Sequence, residues 1–105
     1  MRAVLVLAAF LATPAFAVEP PRPPTVGAYL ALCEADAKAC SDRLFDLIWE
    51  RSVGDQRVGF CLPDDEMPDQ ITAKVVAWLK ARPALAAAET DGALLKAMEA
   101  EYRCK

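Results

Sequence analysis

Apolar residues recur at helical spacing in four separate stretches of the chain. Ala28, Tyr29, Leu32 and Cys33 form the first, and Thr25 stands where an N-cap belongs, so a short helix is predicted over 26–34. In the second, Cys40, Leu44, Leu47, Ile48 and Arg51 mark one stripe from Lys38 to Arg51. Phe45 and Trp49 are read as widening that stripe, with Asp42, Arg43, Asp46 and Glu50 on the opposite side. A third stripe joins Ile71, Val75, Trp78, Leu79 and Arg82, with Val76 beside it. Pro68 suits the first turn and Pro83 stops the run, which predicts a helix over 68–82. The fourth reads Leu85, Ala88, Asp91 or Gly92, Leu95, Met98 and Tyr102, a helix over 85–102. Gly92 inside it costs about 1 kcal/mol against Ala, or lets a neighbouring helix approach closely. No period-2 alternation survives beyond a few residues, so nothing reads as a strand. The expected architecture is all-α, a small four-helix domain with both tryptophans in its core.

The stretches between helices carry turn chemistry. Gly54 ends the second helix or opens the loop that follows. That loop, 54–67, also holds Gly59 and Pro63, and Phe60-Cys61-Leu62 is expected to act as an apolar plug anchoring it to the core. Asp64, Asp65 and Glu66 come just ahead of Pro68, where acids suit the positive end of a helix.

The N-terminal pattern is different in kind. Met1-Arg2 supplies a short positive start, Ala3 to Ala12 is an unbroken apolar run, and Ala15-Phe16-Ala17 is a small-x-small cleavage site. Residues 1–17 therefore read as a secretory signal peptide, with Val18 as the mature N-terminus. Pro20, Pro21, Pro23 and Pro24 forbid a helix, so 18–25 is expected to be a disordered leader ahead of a single domain over 26–105. No later stretch reaches 18 apolar residues, so no membrane span is expected.

Charge and composition narrow the chemistry. The chain has 12 Lys+Arg, 15 Asp+Glu and a formal net charge of −3, which becomes −4 once Arg2 leaves with the signal peptide. An acidic balance argues against a nucleic-acid partner, which favours a basic stripe. There is no histidine, so no Ser-His-Asp, Cys-His or histidine-metal site can be built. The only serines, Ser41 and Ser52, lack a nucleophile-elbow setting, and Ser41 at the start of the second helix is read as a cap. Asp64 and Asp65 are adjacent in one loop, not placed across a cleft as a glycosidase needs. The chain is read as a non-enzyme with no cofactor.

Four cysteines in a short exported chain read as two disulfides, and the absence of a C-x-x-C pair argues against zinc and redox chemistry. Three pairings exist. The preferred one joins Cys33 to Cys40 across a tight helix corner and Cys61 to Cys104 between the long loop and the chain end. In the chain-entropy picture the shorter loop contributes about 2.5 kcal/mol and the longer about 4 kcal/mol. Without a catalytic constellation, binding falls to charged surface. Asp64, Asp65 and Glu66 are the first candidates, on a loop held rigid by Cys61 and Pro63. Asp42, Asp46 and Glu50 are the second: they form like-charge i,i+4 pairs that cost a few tenths of a kcal/mol each.

A family resemblance rests on the cysteine framework. The run Gly27-x-x-Leu30-x-x-Cys33, Cys40 seven residues on, and Phe60-Cys61-Leu62-Pro63 carry it. Gln70, Val75-Val76-x-x-Leu79, Pro83 and Tyr102-x-Cys104 extend it, so that it spans about 27–104. Together these residues resemble the Rap/Tai-type immunity proteins that protect bacteria against type VI secretion amidase effectors. Two positions depart from that pattern: Ser41-Asp42-Arg43-Leu44 stands where the family has Gly and Tyr, and Arg103 where it has Pro. The resemblance implies a periplasmic protein whose partner is a peptidoglycan-cleaving amidase, bound so that its active site is occluded, and leaves room for a homodimer. The competing classes are an envelope protein-binding module of unknown partner and a periplasmic acid-stress chaperone of the HdeA type, likewise exported and helical. That type resembles a single-bridge domain, against four cysteines here.

Overall fold

A computed structural model describes residues 22–53 and 58–105. The expected signal peptide, the start of the leader and Gly54 lie outside the described residues. Four α-helices follow in order: α1 Val26–Ala35, α2 Ala37–Ser52, α3 Pro68–Lys80 and α4 Thr90–Glu101, with a 3-10 turn at Pro83–Leu85. The all-α expectation stands.

Local chemistry sets the helix ends. Thr25 Oγ1 accepts from the Ala28 amide at 3.2 Å, the cap read from the sequence. Only Asp36 separates α1 from α2, and it serves both. Its amide donates to the Leu32 carbonyl at 2.8 Å and its carboxylate accepts from the Ala39 amide at 3.0 Å. Asp36, not Ser41, is therefore the cap of α2. The Cys33–Cys40 disulfide closes this corner. Neither Asp64 nor Asp65 caps α3. Its N-cap is Met67, whose amide donates to the Gln70 side chain at 2.7 Å, while Asp69 supplies the acid in the first turn.

The core collects Val26, Tyr29, Leu44, Leu47, Ile71, Val75, Leu79, Leu94, Ala97 and Met98. Tyr29 is wholly enclosed and its hydroxyl donates to the Cys40 carbonyl at 2.8 Å, so its polar tip is satisfied. Burial pushes its phenol well above the ordinary range, opposed by the nearby Arg43 guanidinium.

Several sequence expectations fail in instructive ways. The fourth helix does not start at residue 85. The carbonyls of Ala86 and Ala88 accept from the Gly27 and Val26 amides at 2.9 and 3.0 Å, satisfying donors of the first turn of α1 that have no partner within that helix. That use holds 86–89 as a turn, and α4 begins at Thr90. Gly27 allows the approach, since a Cβ there would lie 3.3 Å from the Ala86 oxygen. Gly92 has no such role: a Cβ would meet only Glu89 Oε1, at 3.5 Å. The buried stripe of α4 accordingly runs through Ala93, Leu94, Ala97 and Met98, one position away from the predicted Leu95.

The leader is tied down over 22–25. Pro23 and Pro24 carbonyls accept from the Thr90 hydroxyl at 2.7 Å and the Thr90 amide at 3.3 Å, and Thr25 bridges to Glu89. Arg22 pairs with Glu50 at 2.9 Å. The start of the fold and the start of α4 thus hold each other.

Trp49 is not core: it is 71% exposed. At 100° per residue it lies about 200° from Leu47, on the far side of α2. Arg43 moves the opposite way. It is 8% exposed and its Nη2 meets Asp91 Oδ1 of α4 at 2.6 Å, while its Nε is buried without a partner among the described residues. Trp78 is half-buried against the core, with the Arg82 guanidinium 3.9 Å from its ring centroid.

Candidate functional site: two acidic surfaces

The first candidate region is the segment from Val58 to Met67. Phe60 is buried, but Cys61 and Leu62 are exposed, so the expected plug is one side chain. Backbone and sulfur do the rest of the anchoring. The Cys61 amide donates to the Tyr102 carbonyl at 2.8 Å, and the Cys61–Cys104 disulfide joins the same two strands of chain. The two disulfides are the preferred pairing.

Glu66 is drawn into this closure. One carboxylate oxygen meets Lys74 Nζ at 2.9 Å and the other accepts from the Tyr102 hydroxyl at 2.8 Å. Lys74 also lies 5.7 Å from the Tyr102 ring centroid. The Lys74 hydrogen bond, then the Tyr102 one, hold the Glu66 carboxyl below its ordinary range. Burial, then the Glu66 hydrogen bond, push the Tyr102 phenol well up. Of the three candidate acids in the loop, Glu66 therefore ties the fold together. Asp64 and Asp65 are exposed.

The second region is the outward side of α2. Asp42, Asp46 and Glu50 are exposed and fall on one i,i+4,i+8 row. Lys38 pairs with Asp42 at 2.7 Å and Arg22 with Glu50 at 2.9 Å, both in solvent. Asp46 makes no ion pair among the described residues. Beside this row stand Phe45, half-buried, and Trp49, exposed, both of which the sequence assigned to the core, with exposed Val53 just past the end of α2. Strict wheel angles carried the signal that separates Trp49 from Leu47. Nothing in the sequence could pair Arg43 with Asp91, 48 residues away.

No helix among the described residues is long and apolar enough to cross a membrane. The model of the Rap1a immunity proteins matches residues 25–104, from the cap of α1 to the last cysteine. The chain belongs to the Rap1a immunity protein family. No curated protein matches it, and no solved structure does. As a Rap1a family member it is an immunity protein, whose partner is a cognate secreted effector. The family and the two disulfides together indicate an exported protein, since such bridges persist in oxidising compartments.

Proposed function

We propose that this Rap1a family member is exported by the signal peptide 1–17 and acts in the periplasm. There it binds a peptidoglycan-cleaving amidase delivered by type VI secretion and occludes the catalytic cleft. The observation that carries this reading is the family match over the whole folded region, both bridges included. The physics agrees with an inhibitor of this kind. Two staples and a one-residue helix corner give a rigid surface, and rigidity lowers the entropy lost on association. Asp64 and Asp65 sit on the loop tethered by Cys61 and Glu66 and are offered to a basic or amide-rich cleft. Their charge would speed encounter in a salt-dependent manner.

Purified type VI amidase effectors, each assayed for peptidoglycan hydrolysis with and without the oxidised protein, test the reading. Stoichiometric inhibition of one of them is expected. Full hydrolysis by every amidase in the presence of excess protein defeats it. Intact mass of periplasmic protein should correspond to a chain starting at Val18, and cytoplasmic protein retaining Met1 would remove the exported role.

A further inference from the structure

We propose that the outward face of α2 is a principal contact surface for the secreted effector, with Trp49 as its anchor. The matching surface on the effector is an apolar pocket with a basic rim. The proposal rests on the inhibitory reading above and adds a second face to the Asp64–Asp65 loop named there.

Two parallel rows carry it. Phe45 and Trp49 form an apolar row on α2, continued by Val53 at its C-cap; Trp49 is 71% and Val53 52% exposed. Asp42, Asp46 and Glu50 form the acidic row alongside. An indole left in water on a small stapled domain brings no stability to the fold, since its large apolar area stays hydrated. Such a side chain ringed by polar groups has the make-up of an interface hot spot. The acids add direction. Asp42 and Glu50 hold solvent-exposed counter-ions that a partner's cations can replace at little cost, because exposed pairs are weak. Asp46, one turn from Trp49, has no counter-ion among the described residues. The complement is therefore a pocket for the indole with an arginine or lysine within reach of Asp46.

A second copy of the chain is a poorer occupant. In a two-fold pairing centred on Trp49, Asp46 would approach its own copy, a like-charge contact.

The test uses the full mature protein and whichever purified type VI amidase it inhibits. Trp49→Ala, Trp49→Phe and Asp46→Lys are compared with Asp64→Asn/Asp65→Asn by calorimetric titration. Trp49→Ala should weaken binding about 30-fold or more, the loss expected of a hot-spot residue. Trp49→Phe should fall between, and Asp46→Lys should weaken binding most at low salt. Melting temperature and oligomeric state should match the parent. Binding unchanged by Trp49→Ala while Asp64→Asn/Asp65→Asn abolishes it overturns the α2 face and leaves the inhibitory reading standing. A change of oligomeric state assigns the face to a second copy, and a marked fall in melting temperature assigns it to the chain's own residues; either result overturns the proposal. If the parent binds and inhibits no amidase, both readings fall together.

Discussion

The segment before α3 and the outer side of α2 are both acidic, yet their acids do different work. Glu66 is bonded to Lys74 and to the Tyr102 hydroxyl, and so belongs to the closure made by Cys61 and Cys104. Asp42, Asp46 and Glu50 touch only solvent-exposed cations or none that is described, and they flank an exposed tryptophan. An acid with two ordered partners from distant chain segments stabilises the fold. A row of acids that repel along one helix does not, and its presence calls for a partner. The inward side of α2 sharpens the contrast, because Arg43 there is buried and matched by Asp91.

The most direct test of that contrast is Asp91→Ala. It leaves the Arg43 guanidinium buried without its counter-charge and should cost about 3 kcal/mol, read from urea unfolding. Replacing Arg43 and Asp91 together by apolar residues of similar volume should cost far less. If Asp91→Ala is silent, the inner and outer charges of α2 are equivalent and the comparison fails. Next comes removal of one bridge at a time. Cys61→Ala/Cys104→Ala should lower stability by about 4 kcal/mol and Cys33→Ala/Cys40→Ala by about 2.5 kcal/mol, following loop length. Tyr102→Phe should cost about 1 kcal/mol, the net worth of a hydrogen bond lost at a buried phenol. By contrast, Trp49→Ala, and neutralisation of the outer row to Asn and Gln, should each move stability by less than about 0.5 kcal/mol.

Acid and alkali give a further reading. Glu66 titrates lower in the fold than in the unfolded chain, so its contribution is present above the ordinary Glu value of about 4.3. It should be lost as the pH falls through the depressed folded value, and Glu66→Gln should flatten that limb of the stability–pH curve. Tyr29 and Tyr102 are raised in the fold, so the protein should weaken progressively above about pH 10. A Glu66→Gln variant with an unaltered acid limb would return Glu66 to the exposed set.

What the sequence made legible was local. Thr25 as a cap, the turn near Asp36, Pro68 and Pro83 as punctuation, and the Cys33–Cys40 bridge each depend on residues a few positions apart. Most of the larger departures involve distant segments. Ala84 to Ala88 favour a helix by propensity, but the unpaired amides of α1 claim their carbonyls. Pro23 and Pro24 promise disorder until Thr90 binds them. Arg43 reads as surface because Asp91 lies on another helix. Trp49 is the exception, since its position on the wheel was available. Its size and apolarity drew it inward on paper, and for a contact residue those same properties point outward.

The corner at Asp36 has a consequence for how such a molecule can change. With one residue between the helices and a bridge from Cys33 to Cys40, the rotational phase of α2 is locked to α1. One residue inserted at the corner would turn everything beyond it by about 100°. Ile48 would swing into the exposed place of Trp49, and Asp46 into the buried place of Leu47. The corner therefore acts as an index mark. While it holds, side chains on the outer face can be exchanged to fit a different toxin without resetting the packing, and a lineage could retune its recognition one exposed residue at a time.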